Sequence, residues 1–129
     1  MSLSVEIVTP AEIAHTGDAE MVCVPGLLGE FGAMDAHASM LSVTRAGRVS
    51  LINGGERKTL IIGPGFAEVG EDQLTLLVDH CEEVGTVDAA QAQADLKAGY
   101  ELLAEHDAES EQGMAATKKI DLALARLDA

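Results

Sequence analysis

The sequence predicts a mainly β protein with an added α-helical part: an N-terminal antiparallel β-sandwich followed by a C-terminal antiparallel α-helical hairpin. Two observations predict this fold class. Short apolar runs separated by glycine turns fill residues 1–84, a pattern typical of an antiparallel sandwich or barrel. From residue 85 the apolar residues recur at the spacing of an amphipathic helix. We therefore expect a β-sandwich domain at 1–84 and a two-helix hairpin domain at 85–129.

The first strands are predicted by alternation and by proline. Apolar and polar residues alternate over 3–8, which places one apolar face towards a core, and Pro10 closes the run. A second apolar run, 19–24, ends at Pro25. Because proline cannot donate a backbone hydrogen bond, both runs are expected to end as strands there.

Glycine-containing turns predict the later strands. The strongest hairpin signal is Asn53-Gly54, which separates the apolar runs 47–52 and 58–62. A second polar turn, at 70–72, separates the next two apolar runs. Strands joined by such tight turns pair in antiparallel fashion.

Two helices are predicted after residue 85. The first carries the stripe Ala89, Ala92, Leu96, Gly99 and Leu103, and the second carries Ala116, Ile120, Leu124 and Leu127. Thr86 or Asp88 can cap the first helix, which is expected to end near His106 before a polar link at 107–113. Because alanine-rich stripes bury little area, we expect the hairpin to be held weakly, to the sandwich or to a partner. A moving part and a permanently docked brace both fit this pattern.

Composition excludes several classes of function. Eight basic and 22 acidic residues give a net charge of −14, which repels nucleic acid and anionic lipid and suits a basic protein partner. No run approaches the about 18 apolar residues of a membrane helix, so direct membrane insertion is not expected. The N-terminus lacks a signal-peptide pattern, which favours an intracellular protein. Cys23 and Cys81 lie in apolar runs and are expected to be buried thiols.

The candidate chemical residues do not form a catalytic set. The glycine-rich segment 25–37 ends on His37, but it lacks the lysine of a phosphate loop and the spacing of a dinucleotide loop. His37 near Asp35 has no evident nucleophile. Side chains of 79–82 would alternate between the faces of a strand, so they would not surround one metal ion. We expect no catalytic, cofactor-binding or metal site, and a small metal-dependent or hydrolytic enzyme is the least favoured hypothesis.

Several motifs occur in order along the chain. They are VEIVTP at 5–10, VPG and GEFG within 24–32, HA at 37–38, LS at 41–42, GFAEV at 65–69 and LTLLVD at 74–79. With a helical hairpin after them, these motifs resemble the epsilon subunit of bacterial F-type ATP synthase over essentially the whole chain. The resemblance implies a non-catalytic rotor subunit of the central stalk, which couples proton-driven rotation to ATP synthesis.

The same resemblance implies partners and site residues. The family's sandwich packs on the gamma subunit and rests on the c-ring, at the cytoplasmic face of the bacterial inner membrane. Carried over by position, Glu30 is expected to face the c-ring, and Thr9, His37 and Ser42 are expected to lie near gamma. The C-terminal hairpin is the part expected to reach the alpha/beta head. No cofactor is implied.

Three departures from the family pattern modify these expectations. Asp35-Ala36 stands where the family has Pro-Gly before the histidine. Gln91 stands where ATP-binding members have arginine, so ATP binding is not expected. Residues 86–129 carry four basic and nine acidic side chains, so the hairpin is expected to regulate ATP hydrolysis weakly at most. The alternative function is a free-standing nucleotide-sensing regulatory module.

Overall fold

The computed structural model of the protein describes residues 2–34 and 39–127. Within those ranges the chain forms ten strands and then two α-helices. The strands are β1 (Leu3–Val8), β2 (Ile13–Ala19), β3 (Met21–Gly26), β4 (Gly29–Met34), β5 (Met40–Thr44), β6 (Gly47–Asn53), β7 (Glu56–Ile62), β8 (Gly65–Val69), β9 (Gln73–Val78) and β10 (Cys81–Glu83). A 3₁₀ turn, Val84–Thr86, leads to helices α1 (Ala89–Glu105) and α2 (Glu111–Leu127). The predicted fold class, a β-sandwich followed by a helical hairpin, is confirmed.

The strands form one hydrogen-bonded network that folds over itself. Neighbours follow the order β10-β7-β6-β3-β5-β8-β9-β1-β2, and β4 pairs with β3 outside this path. The neighbouring pairs are antiparallel except β1 and β9, which run parallel. Core side chains from β1 and β9 pack in the same cluster as those from β6 and β7. The two halves of the network therefore share one core.

Alternate residues of each core strand point their side chains into the core. Leu3, Val5 and Ile7 are at most 1% exposed, as the sequence predicts. Burying an aliphatic side chain of this size contributes about 1.5–3 kcal/mol. The same parity buries Leu74 and Leu76 on β9, so β1 and β9 line one core face.

One predicted strand is divided in the structure. The run 19–24 was expected to be continuous, but β2 ends at Ala19 and β3 begins at Met21. The Glu20 backbone amide donates to Ile52 O at 2.9 Å, and the Glu20 carboxylate accepts from the Gly54 amide at 3.0 Å. These long-range bonds turn the chain from its pairing with β1 to its pairing with β6, which a local apolar pattern does not reveal.

Small residues allow the two helices to pack closely. A Cβ added at Gly99 would lie 2.6 Å from Ile120 Cγ1, so only glycine fits there. Asp88 caps α1, because its carboxylate accepts from the Gln91 amide at 3.1 Å. The predicted stripe of α2 is wrong at Leu124, which is 46% exposed, whereas Ala123 is buried. Close packing on this side favours the smaller side chain.

Helix α2 covers part of the outer side of the sheet. Ile61 points away from its core neighbours on β7, yet it is fully buried because α2 packs against β6 and β7. Arg48 of β6 donates from Nε to Ala125 O and from Nη2 to Arg126 O, each at 2.9 Å. The last carbonyls of a helix have no partner within the helix and carry partial negative charge, so this arginine both satisfies and neutralises them.

Adjacent leucines on β9 test the register. Leu76→Ala removes a fully buried side chain and should lower the free energy of unfolding by about 3 kcal/mol. Leu77→Ala, at a position 46% exposed, is the matched control and should lower it by under about 1 kcal/mol. Urea denaturation measures both. Equal losses would contradict this register, because a one-residue slip exchanges the two faces.

The contacts of Arg48 predict how firmly the hairpin is held. Arg48→Ala leaves two helix carbonyls without their partner and should destabilise the docked hairpin by about 2 kcal/mol. Faster hydrogen exchange of the α2 amides, with little change in β9, is the expected result. Arg57→Ala, an exposed arginine on β7, is the control. Unchanged exchange in α2 for Arg48→Ala would show that these bonds do not hold the helix.

Candidate subunit interface

The predicted site residues lie on separate elements. Thr9 follows β1, where its hydroxyl donates to Glu12 O at 3.2 Å and accepts from the Glu12 amide at 3.3 Å. Ser42 lies on β5, which the strands β8 and β9 separate from β1. Its hydroxyl lies 3.5 Å from Val43 O. Each side chain thus bonds to the backbone of its own segment. His37, with Asp35 and Ala36, lies outside the described residues.

Ser42 belongs to the inner side of its strand. It pairs in register with buried Ala67, whereas its neighbours Leu41 and Val43 are 70% and 44% exposed. A partner on the outer side of β5 would therefore meet the two apolar neighbours before Ser42.

Glu30 lies beside a tight, apolar turn. It is exposed on β4, directly after the turn that carries Leu27 and Leu28, which are 60% and 102% exposed. Gly29 has φ +138°, and a Cβ at Gly26 would lie 2.5 Å from Gly29 O. Glycine at both positions thus lets the two backbones approach each other closely at the turn.

The outer side of the sheet carries a feature that sequence reasoning missed. We call it the apolar stripe: one row of cross-strand neighbours formed by Val43, Phe66, Leu77, Val8 and Ile13. Phe66 is 50% exposed and Ile13 is 59% exposed. Contiguous exposed apolar surface of this kind marks an interaction site. The available signal was the unbroken apolar run 76–78, since a strand with one solvent-exposed face should alternate between apolar and polar residues.

Acidic residues flank the apolar stripe. In the adjoining row, Glu68 pairs with Thr75, and Thr75 pairs with Glu6. Leu41 begins that row opposite Glu68. The surface is therefore suited to a partner that brings an apolar strip with basic groups beside it.

Charged contacts join the hairpin to the last strand. Arg126 Nε donates to Glu82 Oε1 at 2.7 Å, and the same oxygen lies 2.7 Å from His80 Nε2. Burial alone raises the pKa of Glu82, but the hydrogen bonds from His80 and Arg126 and their charges outweigh it and lower the pKa below its ordinary 4.5. The stability that Glu82 contributes is complete above that ordinary value and is lost as the pH falls through the lower folded value.

A small cleft lies beside Gln91, the residue that stands where ATP-binding members of the resembled family have arginine. It has a volume of about 180 Å³ and is lined by Glu82, Asp88, Gln91 and Arg126, among others. The Gln91 side chain donates from Nε2 to Asp95 Oδ1 at 2.9 Å, and Arg126 Nη1 lies 3.6 Å from Asp95 Oδ2. Both residues are thus bonded to carboxylates of this chain, an arrangement that offers little to a phosphate.

The potential metal ligands and the thiols have ordinary surroundings. Across 2–34 and 39–127, no three His, Cys, Asp or Glu side chains converge as a metal site requires. Cys23 and Cys81 are free thiols. Burial, together with nearby carboxylates, raises the pKa of Cys81, which packs against the core. In the described part of the chain, neither helix has the length and apolar character to cross a membrane.

Solved structures share this architecture. A chain of the Euglena gracilis mitochondrial ATP synthase, in an OSCP/F1/c-ring structure, aligns with a TM-score of 0.80 at 13% identity, covering 95% of this chain and 77% of that chain. A chain from the Tetrahymena thermophila mitochondrial ATP synthase central stalk and c-ring aligns with a TM-score of 0.61 at 15% identity, covering 95% and 94%. At these identities the likeness shows the fold.

Sequence comparisons identify the family as well as the fold. The family described as "ATP synthase, Delta/Epsilon chain, beta-sandwich domain" matches residues 2–84. The ATP synthase epsilon chain of Rhodospirillum rubrum is 38% identical over 115 residues, covering 88% of this chain and 86% of that protein. The chloroplastic ATP synthase epsilon chain of Emiliania huxleyi is 34% identical over 129 residues, covering 100% and 98%. The chain therefore belongs to the ATP synthase epsilon-chain family.

Proposed function

We propose that this chain is a non-catalytic rotor subunit of an F-type ATP synthase and that the apolar stripe is its contact with the gamma subunit. The stripe is the observation that carries the proposal, because it leaves four half-exposed apolar side chains in one continuous row. Covering each of them would contribute part of the about 1.5–3 kcal/mol available per side chain. A subunit that must turn together with its neighbour needs such a broad contact.

The tip of the β3–β4 turn, beyond the Val43 end of the stripe, suits a second partner. Leu28 at this tip, followed by Glu30, offers an apolar side chain and one negative charge to the c-ring. The backbone of the turn is tied to the sheet, because the Leu27 amide donates to Val43 O at 2.8 Å. A firm turn of this kind transmits torque better than a mobile loop. In this arrangement c-ring rotation, driven by protons, reaches gamma through the sandwich and supports ATP synthesis.

Thr9, Ser42 and His37 retain supporting roles in the proposal. Thr9 fixes the connection from β1 to β2 and thereby holds Val8 opposite Ile13. Ser42 lies between Leu41 and Val43 on β5. His37 is proposed as a gamma contact by position in the family motif. The complex would lie at the cytoplasmic face of a bacterial inner membrane, with this subunit peripheral to it.

The hairpin is proposed to regulate ATP hydrolysis weakly at most. Two of its four basic side chains are already paired with carboxylates of the sandwich part: Arg126 with Glu82, and Lys118 with Asp79. Its net charge of −5 also opposes insertion into an acidic partner. A nucleotide-sensing role gains no support from the cleft at Gln91.

Binding to gamma tests the apolar stripe. Phe66→Asp places a charge in the middle of the row and should weaken the affinity for the gamma subunit of the same synthase at least about tenfold, equal to 1.4 kcal/mol. Tyr100→Asp is the matched control, since Tyr100 is 51% exposed on α1 and Phe66 is 50% exposed. Isothermal titration of purified subunits gives both values. Unchanged affinity for Phe66→Asp would contradict the proposed interface.

ATP hydrolysis tests the role of the hairpin. Added to a synthase depleted of this subunit, the full chain should leave the hydrolysis rate nearly unchanged, because its docked hairpin presents few free basic groups. A chain ending at residue 86 serves as the comparison and should behave alike. Strong suppression by the full chain that disappears on truncation would show that the hairpin inhibits.

A further inference from the structure

A groove separates the hairpin from the outer side of the sheet. It has a volume of about 390 Å³, and three of its lining side chains are large, apolar and exposed: Leu27 from the β3–β4 turn, Val43 from β5 and Met114 from α2. These side chains are 60%, 44% and 62% exposed, respectively. Three well-exposed apolar side chains from distant parts of the sequence thus converge on one depression.

The groove is continuous with the apolar stripe. Val43 is the end of the stripe and also lines the groove. A partner that covers Phe66 and Val43 can therefore extend into the groove and contact Met114. A single partner that covers contiguous apolar surface removes more of it from water than two separate partners with a gap between them. One partner is therefore better matched to the stripe and the groove together.

The rim of the groove adds a charge requirement. Arg45 and Lys118 lie there, with Asp121. Lys118 is paired with Asp79. The Arg45 side chain makes no hydrogen bond or ion pair with any described residue, although 22 acidic residues occur in the chain. A carboxylate of a partner, set beside apolar side chains, is the group that Arg45 would bind.

We propose that the partner covering the apolar stripe also fills this groove with apolar side chains flanked by a carboxylate, and so contacts the sandwich and the hairpin together. The inference rests on the proposed function, in which that partner is the gamma subunit. A ligand that binds one arrangement of two parts stabilises that arrangement. Gamma binding therefore favours the docked hairpin, and by reciprocity the docked hairpin raises the affinity for gamma.

Other occupants fit the charges less well. A second copy of the chain would bring another net charge of −14 against Glu6 and Glu68 beside the stripe. An anionic membrane surface would be repelled in the same way. A partner subunit that sets basic groups beside its apolar surface meets neither obstacle.

The test compares four variants of the full chain, of which Met114→Ala is described with the second readout. Met114→Asp should weaken gamma binding about tenfold, since it replaces apolar contact with a charge near the required carboxylate. Ala115→Asp is the control, because Ala115 is exposed on the same helix and does not line the groove. It should bind like the unchanged chain. Phe66→Asp reports separately on the stripe.

Hydrogen exchange supplies a second readout. Gamma binding should slow exchange of the α2 amides in the unchanged chain and in Ala115→Asp, and should slow it much less in Met114→Asp. Met114→Ala keeps a good helix former at this position and should show the same trend to a smaller extent, which guards against a variant whose hairpin fails to fold.

Distinct results separate failure of this inference from failure of the proposed function. Loss of affinity for Phe66→Asp with unchanged affinity for Met114→Asp and Met114→Ala would overturn the groove contact and leave the stripe intact. Unchanged affinity for all variants would overturn both. Self-association that Met114→Asp abolishes, without any effect on gamma binding, would assign the groove to a second copy and also overturn the inference.

Discussion

The outer side of the sheet has more apolar residues than the chain itself can cover. The inner side closes over one core, but the strands also carry apolar residues at the opposite parity. Helix α2 covers that side at β6 and β7, where Ile61 is buried. The remaining part, from β5 to β2, stays open as the apolar stripe. Docking of the hairpin and the proposed contact with gamma both remove apolar side chains on this outer side from water.

The sequence was sufficient for the fold class because its local signals agree. Alternation located the core face of β1, the Asn53-Gly54 turn located the β6–β7 hairpin, and Asp88 capped α1 as expected. Reasoning from pattern did not predict β2 and β5. Most β2 side chains are exposed, so no apolar alternation marks that strand, and β5 pairs with β8, which is distant in sequence.

The candidate interface was less accessible from sequence than the fold. Alternate residues of a strand point to opposite faces, so the face decides whether an apolar residue is buried. The sequence of 74–78 did not show which face is the inner one, and there Leu76 is buried whereas Leu77 is 46% exposed. The resemblance to a family directed attention to Thr9, Glu30, His37 and Ser42. The surface beside Ser42 is built by its apolar neighbours Leu41 and Val43, with Phe66 opposite Val43. Motif residues and contact residues need not coincide, because a glycine or a turn can be retained for shape while adjacent side chains make the contact.

The single parallel pair has a consequence for biosynthesis. Strand β1 leaves the ribosome early and has β2 as its immediate antiparallel partner, but its other edge is completed only by β9. Until residues 73–78 emerge, Leu3, Val5 and Ile7 belong to a two-stranded ribbon with an unpaired edge and an uncovered apolar face. Closure of the sandwich must therefore wait for nearly the whole β region, and during that interval the nascent chain exposes apolar side chains and an unpaired strand edge that favour aggregation.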